Sequence, residues 1–82
     1  MSKFEISGSV LCMAGIPIEN ATVVIDSKFS LTNENGEFLI GDVSGGHHVI
    51  KVVHRKYYTL FQDVFVNSDL PDTVIYLKRL PS

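Results

Sequence analysis

Three histidines, His47, His48 and His54, are the residues best suited to metal binding or acid–base chemistry. Neighbouring side chains of a β-strand point to opposite faces, so His47 and His48 cannot bind one ion together. His48 and His54 share a face, but the usual rise of a strand separates their Cα atoms by about 20 Å. A zinc site would therefore need further ligands from loops, such as Asp42 or Asp69. We predict no metal site, a partly buried, hydrogen-bonded His48, and a solvated His47 and His54.

Two other stretches could carry chemistry, and both have an ordinary structural interpretation. Asn33-Glu34-Asn35-Gly36 has the composition of a calcium loop, but with glycine at the sixth position the first ligand would be Leu31, which cannot coordinate. Cys12 has no basic residue within several positions to activate its thiol. No spacing of serine, histidine and acid matches a known nucleophile motif, so a triad would be a chance arrangement. The sequence predicts no catalytic residue, no cofactor and no enzymatic activity.

Length and charge narrow the function classes further. A chain of 82 residues has room for one core, which predicts a single domain over residues 1–82. The formal net charge is −2 and the seven basic residues are scattered, which argues against nucleic-acid binding. The first residues lack the apolar region of a signal peptide, and no apolar run reaches the ~20 residues of a membrane helix. We therefore predict no membrane insertion.

Short alternating runs separated by glycine-bearing turns must position any site. One turn is predicted at Asn33–Gly36, where Gly36 is expected to have a positive φ, and another at Gly45-Gly46. About seven such strands and no helical periodicity indicate an all-β sandwich. Shared parity along the strands predicts one core. Its predicted members are Phe4, Ile6, Val10, Val23, Ile25, Phe38, Ile40, Ile50 and Val52.

Two strands contain irregular features. Gly8 in the middle of the first strand predicts a bulge or a close approach by a neighbour. In the strand from Tyr57 to Val66, placing Val64 and Val66 inward also places Gln62 inward. We therefore expect a bulge between Leu60 and Val64.

Glycines and core positions spread over most of the chain resemble a known family. The matching runs are Ile6-x-Gly8-x-Val10, Gly15-x-Pro17-Ile18-x-x-Ala21-x-Val23-x-Ile25, Thr32-x-x-x-Gly36-x-Phe38-x-Ile40, Gly46-x-His48-x-Ile50-x-Val52 and Val74-Ile75-Tyr76-Leu77. They resemble the carboxypeptidase regulatory-like domain. The resemblance implies a transthyretin-like (prealbumin-like), seven-stranded Greek-key β-sandwich with sheets of four and three strands. His48 and Lys56 depart from the pattern, since the family usually has an aromatic residue and a glycine there.

The resemblance also implies a role. Domains of this family are accessory modules of peptidases, TonB-dependent outer-membrane receptors and cell-surface proteins, mostly without catalysis. The resemblance therefore implies that this chain is a non-catalytic interaction or spacer module in the periplasm or at the cell surface. A related hydroxyisourate hydrolase would end in Tyr-Arg-Gly-Ser, whereas this sequence ends in Arg79-Leu80-Pro81-Ser82. The glutamate that assists isopeptide bonds in related adhesin repeats is replaced here by Val52.

Apolar residues on faces assigned to solvent suggest how such a module would act, because a contiguous exposed group needs a partner. The predicted interaction face, outside the four-stranded sheet, comprises Val24, Val49, Val53, Phe61 and Phe65. Leu39, Val74 and Tyr76 would lie outside the other sheet. A different register around the predicted bulge would instead return Phe61 or Phe65 to the core. The expected partner is another protein domain or a second copy in a weak homodimer.

Two alternatives remain open from sequence. A carbohydrate-binding module would use Tyr57, Tyr58 and Tyr76 as an aromatic platform, and would require all three to be exposed. A small metalloprotein or enzyme would require a cleft that holds His47 or His54 beside a carboxylate.

Overall fold

Seven β-strands in two sheets make up the computed structural model, which describes residues 2–81. The strands are β1 (Lys3–Cys12), β2 (Thr22–Ile25), β3 (Lys28–Leu31), β4 (Glu37–Ser44), β5 (Gly46–Val53), β6 (Leu60–Val66) and β7 (Leu70–Leu77). One sheet has the order β4-β1-β7 and the other β3-β2-β5-β6. The predicted seven-stranded β-sandwich, with sheets of four and three strands, is confirmed. Met1 and Ser82, which bound the predicted single domain, lie outside the described residues.

Alternate residues of the strands from both sheets form the core. Eight of the nine predicted core residues are buried, and Phe4 is half-buried against them. Six further core members lie outside the predicted nine, and they are Ile18, Ala21, Val43, Val66, Ile75 and Leu77. The core prediction holds because the side-chain period of a strand is 2, so a buried face follows directly from parity.

Gly8 lies where the backbone of β1 comes close to that of β7. These two strands are parallel, and their register shifts between Ile6 and Gly8. A Cβ at position 8 would lie well under 3.0 Å from the backbone of Thr73. Both the bulge and the close approach predicted at this glycine are therefore present.

The turn before β4 has the predicted geometry. Gly36 has a φ of +74°, a conformation that a side chain disfavours. The side-chain oxygen of Asn33 accepts hydrogen bonds from the N–H groups of Asn35 (3.0 Å) and Glu37 (2.9 Å). At the next turn only the second glycine is in the left-handed region: Gly46 has a φ of +121°, and Gly45 does not have a positive φ.

The bulge predicted in β6 is wrong. β5 and β6 pair in unbroken register from Gly46–Val66 to Val52–Leu60. Gln62 therefore does face inward, opposite Ile50, and yet it is exposed. The reason is that β6 is the edge strand of its sheet, so an inward-facing side chain there still reaches water.

Candidate functional site

A serine, a histidine and an aspartate meet where two turns lie side by side. His48 projects from β5 with 7% of its side chain exposed. Its Nδ1 lies 3.1 Å from Oδ2 of Asp26 in the turn between β2 and β3. Its Nε2 lies 2.7 Å from the carbonyl oxygen of Ser44 and 3.4 Å from the Ser44 hydroxyl, at the end of β4. The predicted half-buried, hydrogen-bonded His48 is confirmed.

This arrangement has the composition of a nucleophilic triad but not its hydrogen bonding. A carbonyl oxygen can only accept, so Nε2 of His48 must carry a proton and donate it to Ser44. A general base in a triad needs that nitrogen unprotonated in order to take the serine proton. The Ser44 hydroxyl is therefore not activated. His48 instead connects the two turns through its contacts with Ser44 and Asp26.

His54 joins two other loops and is not simply solvated, so that prediction is wrong. Its Nε2 lies 3.1 Å from the carbonyl oxygen of Glu19, and its Nδ1 accepts the Lys56 N–H at 3.1 Å. The ring also contacts Tyr57 edge-on, with centroids 5.2 Å apart. No local sequence pattern indicates the contact with Glu19, because Glu19 lies 35 positions away.

His47 is exposed, as predicted, and its ring lies 4.8 Å from that of Phe65. Between Ser2 and Pro81, no group of three or more His, Cys, Asp or Glu side chains is placed to hold a metal ion. The absence of a tight metal site stays a prediction, which calorimetric titration with zinc, iron and calcium would check.

The three tyrosines considered for sugar binding do not share one exposed platform. Tyr57 is half-buried against the core, and its ring contacts His54. Tyr58 is 46% exposed in the loop before β6, where its N–H donates to the carbonyl oxygen of Lys78. Tyr76 is 50% exposed on β7, in the other sheet. Because all three exposed rings were required, this geometry does not favour the carbohydrate alternative.

Several large apolar side chains lie exposed on the outer face of the four-stranded sheet. Phe61 and Phe65 of β6 project there and are 64% and 54% exposed. Val49 and Val53 of β5 are also exposed, and Val24 of β2 is half-buried beside them. All five residues of the predicted interaction face therefore lie on this face. The unbroken register of β6 removes the alternative in which either phenylalanine enters the core.

Two residues that sequence analysis did not assign to this face extend it to the edge strand. Phe29 lies directly opposite the outward-facing Val24, and Leu31 lies opposite Thr22. Both are more than half exposed. Strand β3 is only four residues long, so its parity became clear only from its pairing with β2.

One row of cross-strand neighbours spans the whole face. It runs from Phe29 to Val24, then to Lys51, then to Phe61. The ammonium group of Lys51 lies 5.8 Å from the centroid of the Phe61 ring, within reach of a cation–π interaction. Asp63 lies on the same face, opposite Val49. The outer face of the four-stranded sheet thus consists of Thr22, Val24, Phe29, Leu31, His47, Val49, Lys51, Val53, Phe61, Asp63 and Phe65.

The outer face of the three-stranded sheet is less continuous. Leu39, Val74 and Tyr76 are exposed there, as predicted. Ser7 and Ser9 of the central strand β1 lie opposite Leu39 and Val74, respectively. These polar side chains separate the exposed apolar residues of β4 from those of β7. The four-stranded sheet exposes more large apolar side chains and therefore offers the better site for a protein contact.

Comparison with known proteins gives a fold but not a family. No protein-family model matches the chain, and no curated protein sequence matches it significantly. Solved structures with this fold include a chain of a type II cohesin–X–dockerin complex from Acetivibrio cellulolyticus, which is 26% identical with a TM-score of 0.80. The match covers 93% of this chain and 58% of that one.

Two more distant structures share the fold alone. A minor pilin of Streptococcus agalactiae is 13% identical with a TM-score of 0.68, and the match covers 99% of this chain and 46% of the pilin chain. A DUF3823 family protein from Parabacteroides merdae is 9% identical with a TM-score of 0.67, over 96% of this chain and 46% of that one. In all three cases this chain spans little more than half of the matched chain, or less. In the part of the chain that the structure describes, no helix is long and apolar enough to cross a membrane.

Proposed function

We propose that this domain is a non-catalytic interaction module that packs the outer face of its four-stranded sheet against another folded protein domain. The single observation that carries this proposal is the group of exposed apolar side chains that share that face, namely Phe29, Val49, Val53, Phe61 and Phe65. Isolated apolar residues are normal on a protein surface, whereas a contiguous group is typical of an interaction site.

The expected partner is a domain with an apolar surface of its own. Burying a large apolar side chain contributes about 1.5–3 kcal/mol relative to full exposure. Phe29, Phe61 and Phe65 each still expose more than half of their surface. Aromatic side chains, phenylalanine included, are also enriched at the cores of protein interfaces.

The lengths of the matched chains support a role within larger assemblies. In the matched cohesin–X–dockerin and pilin structures, a unit of this size makes up 58% and 46% of the chain. The resemblance of the sequence to carboxypeptidase regulatory-like domains supports the same role, together with a periplasmic or cell-surface location and a transthyretin-like topology. With principal extents of 45 × 20 × 18 Å, the domain would also separate flanking units as a spacer.

The hydrogen bonding of His48 supports the absence of catalysis at the serine–histidine–aspartate cluster. Both ring nitrogens face acceptors, and neither is free to take a proton from Ser44. We assign this cluster a structural role, which is to hold the β2–β3 and β4–β5 turns together.

Site-specific photo-crosslinking tests the proposed function. A photoreactive phenylalanine analogue in place of Phe61, in cells that produce the protein natively, should yield an adduct with a protein domain. The same analogue at the exposed Glu34, in the turn before β4, is the control and should yield none. The combined substitution Val49→Lys and Val53→Lys should remove the Phe61 adduct. The proposal is overturned if positions 61 and 34 give the same result.

A further inference from the structure

We propose that the outer face of the four-stranded sheet is self-complementary and takes a second copy of this chain as its partner. This inference rests on the proposed function, because it identifies the occupant of the same face. A two-fold contact brings identical surfaces together, so the face must tolerate its own charges as well as its own shape.

The charges on this face meet that requirement. Lys51 and Asp63 are the basic and acidic side chains of this face, and they have opposite signs. They lie diagonally across strands β5 and β6, because Lys51 is paired with Phe61 and Asp63 with Val49. Within residues 2–81 neither side chain forms an ion pair. A two-fold axis in the plane of the interface, midway between them, places Lys51 of each copy opposite Asp63 of the other.

At the centre of this face the contact is made by side chains and not by backbone groups. The backbone groups of β2 and β5 are already paired on both sides within the sheet. What these strands present to a partner is therefore their side chains, with Lys51 and Val49 near the centre and the phenylalanines around them. The opposite charges of Lys51 and Asp63 also favour this relative orientation of the two apolar surfaces. Orientations that bring two lysines or two aspartates opposite one another are unfavourable.

The size of the face sets the strength of the association. At about 4.8 Å between strands and about 3.3 Å per residue, the four strands cover roughly 360 Å² of flat surface in each copy. The total is below the about 1,200 Å² at which stable, specific interfaces begin. The dimer is therefore weak and forms at high protein concentration.

Charge reversal tests this inference by sedimentation equilibrium. Lys51→Asp and Asp63→Lys should each weaken self-association about tenfold, because each places like charges opposite one another. The doubly reversed protein should dimerise within about threefold of the unmodified one. An equimolar mixture of the two single variants should form a heterodimer, because one contributes two aspartates to the contact and the other two lysines. The matched control is Glu34→Lys, because Glu34 lies outside this face. It should leave dimerisation unchanged.

Two outcomes would overturn the inference. One is a protein that stays monomeric at millimolar concentration, and the other is a mixture of the single variants that associates no better than either alone. A monomeric protein whose Phe61 still crosslinks to a different protein would refute the self-association but leave the proposed function intact. Circular dichroism of each variant shows that a loss of association does not reflect unfolding.

Discussion

Gly8 of β1 lies so close to Thr73 of β7 that a Cβ at position 8 would collide with the Thr73 carbonyl group. The obstacle is backbone and not a flexible side chain, so the two strands would have to separate. Gly8 therefore belongs to the packing of the three-stranded sheet as much as any core residue does.

Gly8→Ala should lower the free energy of unfolding by at least about 2 kcal/mol, because overpacking that displaces backbone is costly. Gly41→Ala in the neighbouring strand β4 is the matched control, since a Cβ there meets no described atom within 4 Å. The control should change stability by less than about 0.5 kcal/mol. Urea unfolding of both variants gives the values, and equal midpoints would contradict the predicted close approach.

Gly36→Ala should cost more than Gly15→Ala. Both glycines have a positive φ, +74° and +81°, so alanine at either position costs about 1 kcal/mol of backbone strain. A Cβ at Gly36 would also lie 2.6 Å from the carbonyl oxygen of Val10, whereas a Cβ at Gly15 meets none of the described atoms within 4 Å. Denaturant titration of the pair isolates the steric contribution, and a larger loss for Gly15→Ala would show that this contact is misplaced.

Asp26→Ala should lower the free energy of unfolding by about 1–2 kcal/mol. The substitution leaves Nδ1 of the buried His48 without its acceptor and places alanine at a φ of +55°. Asp26→Asn keeps an oxygen acceptor and a side chain that tolerates this φ, so it should lose less than half as much. Thermal unfolding compares the two, and equal losses would argue against the His48 contact.

Ser44 should not behave as a nucleophile. We expect no covalent adduct when the protein is incubated with a fluorophosphonate, because Nε2 of His48 donates to the Ser44 carbonyl oxygen. Intact-mass spectrometry gives the answer. Labelling that disappears in Ser44→Ala would show that His48 acts as a base after all.

His54 should occupy one neutral tautomer, with the proton on Nε2. That nitrogen faces the carbonyl oxygen of Glu19, while Nδ1 accepts the Lys56 N–H. Long-range proton–nitrogen NMR spectra at neutral pH distinguish the two tautomers. His47, whose ring lies exposed against Phe65, serves as the internal reference for a ring without these constraints.

Alternation along single strands predicted most of the core and both outer faces, because residues that share parity share a face whatever the strand pairs with. The role of an edge strand is a property of the whole sheet, and for that reason Gln62 suggested a bulge that β6 does not contain. The outward orientation of Phe29 also depends on the whole sheet, since it follows from the pairing of Phe29 with Val24.

The candidate chemistry was harder to predict than the fold. His48 contacts Asp26, which is 22 positions away, because two turns lie side by side. No local sequence pattern specifies that arrangement. The tight turn before β4 could be predicted from the sequence, because Asn33 and Gly36 lie within four residues of one another. Contacts between loops depend on the packing of the two sheets and emerge only once that packing is known.

The parallel pairing of β1 with β7 has a mechanical consequence. Because the two strands run in the same direction, the chain enters β1 at one end of this strand pair and leaves β7 at the other. When the domain is held between flanking units, a pull on both ends slides these strands past each other. The hydrogen bonds between them are then loaded together in shear instead of breaking one at a time. In that arrangement the backbone contact between Gly8 and Thr73 would lie inside the segment that resists the pull.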